Sequence, residues 1–209
     1  DVSRLVSDTA IDKFGEDGLA TSDRKVISRL QKVILCALEI EVGVARTHME
    51  SVRLLRIGND EIDANPDGIA LTGPKIKVAS LLGLLDRKAL ADPTSTASKA
   101  ALDQLLSTYG SIPALFWIKT PGNSRTDQLE AGRRYVRANL QATALGLAMH
   151  PASQSLQEYP EMDVPFRRIH QLLGASGSER IQMMARVGYG PMVFASPRWP
   201  LEKGLITSG

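Results

Sequence analysis

Apolar residues recur three and four positions apart through "SDRKVISRLQKVILCALEIEVGVARTH", where Val26, Leu30, Val33, Ala37 and Ile40 share one face and predict a long helix. Ser22 stands just before it as the expected N-cap, since its hydroxyl can accept a bond from an orphan amide of the first turn. "MESVRLLRIG" carries the same period and predicts a second helix stopping at Gly58. The Asn-Pro, Asp-Gly and Gly-Pro pairs of "NDEIDANPDGIALTGPK" predict a loop. Two further helices are expected in "IKVASLLGLLDRK" and "TSTASKAALDQLLSTYG", the latter capped by Thr94 or Ser95.

At "IPALFWIKT" (Ile112 to Thr120) periodicity gives way to a short continuous apolar run bounded by Gly110 and Pro121-Gly122. That is the pattern of a strand covered on both faces. A helix from about 126 to 148 follows. At 100° per residue, Arg133, Arg134, Arg137 and Gln141 fall in one polar arc. Leu129, Val136, Leu140 and Leu147 lie elsewhere, with Tyr135, Ala138, Ala142 and Leu145, so the helix is expected to be largely buried. Asn139 and Thr143 are the one polar pair on the expected buried side, and burial requires them to bond backbone or a ligand. The helix is expected to deliver "HPASQ" in a loop, a usual place for ligand contacts. "DVPFRRIHQLLG" predicts a short helix closed by Gly174, and "ERIQMMARVGYG" a second strand. Residues 112–119 and 180–187 are expected in one antiparallel or mixed sheet, and the tail, with three prolines, is expected to be irregular. The order of elements is helix-rich without regular βα alternation, which indicates an α+β fold with a small central sheet.

Composition narrows the function. In 209 residues the net charge is +2 and aromatics make up 5%, which argues against a nucleic-acid surface. No apolar run is long enough to span a bilayer, no signal peptide is visible at the first residues, and a cytoplasmic location is expected. The lone Cys36 excludes an internal disulfide framework and a cysteine-rich metal site. His48, His150 and His170 are too scattered to suggest metal ligation, and no HExxH pattern occurs. "GASGS" misses a nucleophile elbow because Ser178 stands where glycine is required. No phosphate-binding glycine motif of the common kinds is present. Glu158 and Glu161 read as solvated carboxylates, and no residue is assigned a catalytic or metal-binding role. Residues 1–20 form no complete element and are expected to be a tail or the remnant of an N-terminal part, with 21–209 forming one domain.

One stretch carries more. "DQLEAGRRYVRANLQATALGLAMHPASQSLQEYPEM", followed by "IQMMARVGYGP" and "SPRWPL", resembles the nitroreductase family of FMN-binding proteins, and more narrowly its Acg-like subgroup. The matching features are Ala131-Gly132, Ala142 to Leu147, the run His150 to Met162, and Arg186 to Tyr189. The resemblance is specific from Gln128 to Leu201 and loose before Thr120. It implies an α+β fold holding FMN between two halves, either two subunits or two domains of one chain. A partner is therefore implied, a homodimer mate or a missing N-terminal domain. By resemblance, Pro151, Ala152, Ser153 and Gln154 would line the flavin and Arg198 would meet its phosphate. The family's N-terminal "NTQPW"-like cluster has no counterpart here, so the chain looks like the C-terminal two-thirds of such a protein. The implied activity is NAD(P)H oxidation with reduction of nitroaromatic or quinone-like acceptors. The alternative is a protein that sequesters FMN without turnover.

Overall fold

The structure, a computed structural model, describes residues 18–190 and 195–204. Within these it divides into two compact units, 18–40 with 105–190 and 41–104 with 195–204. Of residues 1–20, expected as a tail, 1–17 lie outside the described residues, whereas Leu19 and Ala20 already belong to a strand of the main sheet.

The first unit is built on a four-stranded sheet in the order β1 (Leu19–Thr21), β4 (Ala114–Thr120), β6 (Arg180–Gly188), β5 (Ala148–Pro151), all neighbours antiparallel. The two strands expected from sequence are its central pair. Alternate side chains of β4 supply two cores. Leu115 packs with Ile27, Leu30, Ile34 and Leu38 of helix α1 (Arg24–Gly43), with Ile169 of helix α8 (Asp163–Leu172), and with Ile181 and Met184. Ala114, Phe116 and Ile118 pack with Val187 and with Ala131, Ala138 and Ala142 of helix α7 (Arg125–Ala144). The β4–β6 register shifts between Ile118 and Lys119. There Gln182 is the extra residue of a bulge, and its amide bonds Thr120 Oγ1 (3.0 Å), Gly122 O (3.2 Å) and Asn123 Oδ1 (3.1 Å), tying the sheet to the turn that launches α7.

Helix boundaries follow local chemistry. Asp23, not Ser22, caps α1: its Oδ1 accepts from the amides of Lys25 (2.7 Å) and Val26 (3.1 Å). Consequently the buried face centres on Ile27, Leu30, Ile34, Ala37 and Leu38, and Val26 is exposed. The long helix also ends earlier than its period suggests, because Val44 is extended and α2 (Ala45–Leu54) starts afresh. Ser124 and Asp127 form a reciprocal capping box at the start of α7. Both α7 and α8 end in a Schellman closure, with Gly146 (φ 70°) and Gly174 (φ 68°) in the left-handed region. Leu147 N donates to Ala142 O (2.8 Å) and Ala175 N to His170 O (2.9 Å).

The expected burial of α7 requires correction. Its buried side chains are Ala131, Ala138 and Ala142, whereas Leu129, Val136 and Leu140 are 53%, 58% and 65% exposed. The face against the sheet is the small-residue face, since alanines let the helix backbone approach β4 closely. Ala144 is exposed and Leu147 is buried beyond the helix end. Thr143 is likewise exposed, and its hydroxyl back-bonds to Asn139 O at 2.9 Å.

The second unit departs further from expectation. The helix expected to run to Gly58 ends at Leu54 and passes into β2 (Leu55–Ile57). The expected loop contains helix α3 (Gly58–Ala64) and β3 (Ile69–Leu71), which pairs with β2 in parallel. The next expected helix is two, α4 (Pro74–Leu81) and α5 (Arg87–Ala91), and α6 (Thr96–Gly110) follows with Ser95 Oγ accepting from Ser98 N at 3.0 Å. Polar staples close the unit. Arg87 donates to the carbonyls of Val52 (2.9 Å) and Leu55 (3.1 Å) and to Glu61 (2.8 Å). In the tail, residues 195–200 have no regular structure before the short helix α9 (Leu201–Gly204).

Candidate functional site

The expected "HPASQ" loop is partly strand. Ala148–Pro151 form edge strand β5, and the ladder continues one step through Ala152 N to Met184 O at 2.9 Å. The chain then winds into a short 3-10 turn, Gln154–Leu156, a second at Pro160–Met162, and α8. Pro151, Ala152, Ser153 and Gln154 are thus held together at the end of a sheet strand. Ala152 is 0% exposed, so its methyl belongs to the core and offers a ligand nothing but backbone. Pro151 is exposed, and Ser153 and Gln154 are half-buried.

Two polar atoms of this turn are out of place in a finished interior. Gln154 Oε1 and Ser155 Oγ are buried and have no hydrogen-bond partner among the described residues. Such groups carry the cost of lost hydration, about 1–3 kcal/mol each. An acceptor held this way fits a ligand N–H, and the ring edge of a flavin presents both donors and acceptors.

Behind the strand stands a cluster that sequence reasoning did not single out. Tyr109 Oη donates to Pro151 O at 2.7 Å and lies 3.2 Å from His150 Nδ1. Arg186, across the ladder from His150, donates Nε–H to the same Nδ1 at 3.2 Å and Nη1–H to Thr108 O at 2.8 Å. Its guanidinium carbon lies 5.2 Å from the centre of the Tyr109 ring. Burial and the Arg186 charge lower the His150 pKa below its ordinary value. His150 and Arg186 lie in runs that carry the family resemblance, but nothing in the sequence tied them to Tyr109.

His170 plays a structural part. Its Nδ1–H donates to Phe166 O (2.9 Å) and its Nε2 accepts from Ile181 N (3.1 Å), joining α8 to β6. Burial is the main cause that lowers its pKa. It borders an open cavity of about 560 Å³ also flanked by Arg167, Gly174 and Arg180.

Arg198 belongs to the second unit, whereas Pro151–Gln154 belong to the first. It is exposed, and its Nη1 bonds the carbonyl of Pro197 at 2.9 Å. Its neighbour Trp199 donates Nε1–H to Asp67 Oδ2 (3.0 Å), and Asp67 pairs with Arg56 (2.6 Å). These bonds, Trp199 first, hold the Asp67 carboxyl below its ordinary range and pin the segment that carries Arg198. Among the described residues no group of three His, Cys, Asp or Glu side chains could hold a metal ion, and no helix is long and apolar enough to cross a membrane.

Comparison with known proteins gives this geometry a frame. A variant of the FMN and NADPH-dependent nitroreductase NfnB from Sphigopyxis sp. strain HMH superposes with a TM-score of 0.56 at 13% identity, over 99% of this chain and 92% of that one. The FMN-dependent nitroreductase NfnB from Mycobacterium smegmatis, solved with NADPH, gives 0.54 at 16% identity, over 98% and 90%. At these identities the likeness is one of fold. No curated protein sequence matches. The Nitroreductase family model, however, matches residues 19–189, from the first described strand to the end of β6. That match spans the sheet, α7 and the Pro151–Gln154 turn in one stretch, and the chain belongs to the nitroreductase family.

Proposed function

We propose that the chain is an FMN-dependent NAD(P)H oxidoreductase of the Acg-like subgroup that reduces nitroaromatic or quinone-like acceptors. The observation that carries this reading is the Pro151–Gln154 turn: a family-matched segment, pinned by Ala152 to the sheet, that keeps an unpartnered acceptor at Gln154. Bound FMN would supply the chemistry, accepting hydride from the nicotinamide and passing electrons on. The protein's part is to bind and orient. Pro151 would present a flat apolar surface, Ser153 and Gln154 would offer polar contacts to the ring, and Arg198 would pair with the phosphate through its guanidinium fork. No side chain is required as acid or base.

The exposed stripe Leu129, Val136 and Leu140 on α7 supports the second half that the reading requires, and a second copy of the chain is the natural source. A dependence on reduced nicotinamide would suit a cytoplasmic setting.

Fluorescence titration with FMN tests the reading. The expected result is saturable quenching, weakened roughly tenfold to a hundredfold by Arg198→Ala as a charge-assisted contact is lost. Arg134→Ala should bind like wild type, because Arg134 is committed to Lys119 O (3.2 Å). Anaerobic bleaching of the bound flavin by NADPH is expected. Binding without bleaching would instead establish sequestration, and no binding would sink both.

A further inference from the structure

The Tyr109–His150–Arg186 cluster leaves one atom unused. A guanidinium can only donate, so the Arg186 Nε–H aimed at His150 Nδ1 requires a lone pair on that nitrogen. The Tyr109 hydroxyl hydrogen is directed to Pro151 O, the shorter of its contacts. The imidazole proton therefore resides on Nε2. Among the described residues Nε2 makes no hydrogen bond, and His150 is exposed on edge strand β5, one residue before the turn. Arg186 cannot swing away cheaply, because Thr108 O and the face of Tyr109 hold its other end.

We infer that Tyr109 and Arg186 are positioning residues that fix His150 as an Nε2–H hydrogen-bond donor at the foot of the Pro151–Gln154 turn, and that the acceptor is a carbonyl oxygen of the flavin ring. The inference rests on the flavin reading above. The chemistry suits that partner. A neutral donor serves both oxidised and reduced rings without adding a mobile proton, and reduction builds negative charge along the carbonyl-bearing edge. The groups facing His150 are Arg186 from β6 and Tyr109 from α6. Arg186 opposes an imidazolium, so the donor persists at neutral pH.

Nitrogen-15 NMR of histidine-labelled protein tests the inference. In the flavin-free chain at pH 7.5, His150 is expected as the neutral Nε2–H tautomer, and Arg186→Met should give a tautomer mixture that titrates at higher pH. On saturation with FMN the Nε2–H resonance should move. His150→Leu should weaken FMN about fivefold to tenfold, the worth of one neutral hydrogen bond. His150→Gln, whose amide N–H reaches close to the Nε2 position, should recover most of that loss. A wild-type Nδ1–H tautomer overturns the inference. So does full FMN binding with a silent Nε2–H and an unimpaired His150→Leu variant, which would leave the flavin reading intact. A wild-type chain that takes up no FMN overturns the flavin reading and this partner together.

Discussion

The two units hold themselves together by different means. The first buries Phe116, Leu115, Ile118, Ile169 and Met184 completely, on both faces of one sheet. The second buries few large side chains, Val52, Ile62 and Leu90 among them, and leaves Val78, Leu81, Leu82 and Leu84 more than half exposed. Its coherence comes from polar staples: Arg87 on two carbonyls and Glu61, Arg56 on Asp67, and His48 Nε2 2.8 Å from Leu90 O. A packed interior is stiff and intolerant of lost volume. A stapled shell opens locally at low cost.

Substitutions can break this contrast. Phe116→Ala should have the largest effect, removing about 3–5 kcal/mol of stability in urea denaturation, because a fully buried ring leaves a cavity between β4 and α7. Arg87→Ala should cost less, about 1–3 kcal/mol, by stranding the carbonyls it serves. Its signature is spatial. Hydrogen exchange should accelerate across 45–91 while the amides of β4 and β6 keep their protection. Equal loss in the sheet would show that the units unfold as one. Ser124→Ala should cost about 1 kcal/mol by opening the capping box of α7.

The smallest effect is one of pH. His170 titrates below its ordinary value of 6.5 in the folded chain, chiefly because burial disfavours the imidazolium. The unfolded chain therefore takes up the proton first. His170's contribution is present above about pH 6.5 and declines as pH falls through that value toward the lower folded pKa. Denaturation midpoints of His170→Gln should depend less on pH between 7.5 and 5 than those of wild type. The residual slope belongs partly to His150, whose pKa is lowered in the same sense.

The central strands were readable because "ALFWI" and "IQMMARV" have no helical period and are bounded by glycine and proline. The path of α7 was readable too, but not its orientation. A helical wheel counts apolar residues without knowing how near the sheet lies, and close approach selected the alanines over Leu129, Val136 and Leu140. β2 and β3 were invisible, since three-residue strands exist by virtue of each other and Leu55–Ile57 continue the period of α2. At the turn, motif resemblance identified Pro151–Gln154. His150 and Arg186 lay within runs that carry the family resemblance, but their meeting with Tyr109 had no local signal, the contacts being 41 and 36 residues apart along the chain.

The pairing of β1 with β4 also sets a clock. Leu19–Thr21 find their partners at Leu115–Trp117, and the strand that completes the centre of the sheet comes only at Arg180–Gly188. At the pace of synthesis, about 5–20 residues per second, the ribosome emits β1 and α1 several seconds before β4 exists, and β6 follows after a further interval. Throughout that time the apolar face of α1 has no sheet to cover it, whereas the short-range staples of the second unit can already form. The nascent chain is therefore most exposed to aggregation, and most in need of a chaperone, during the gap between β1 and β6.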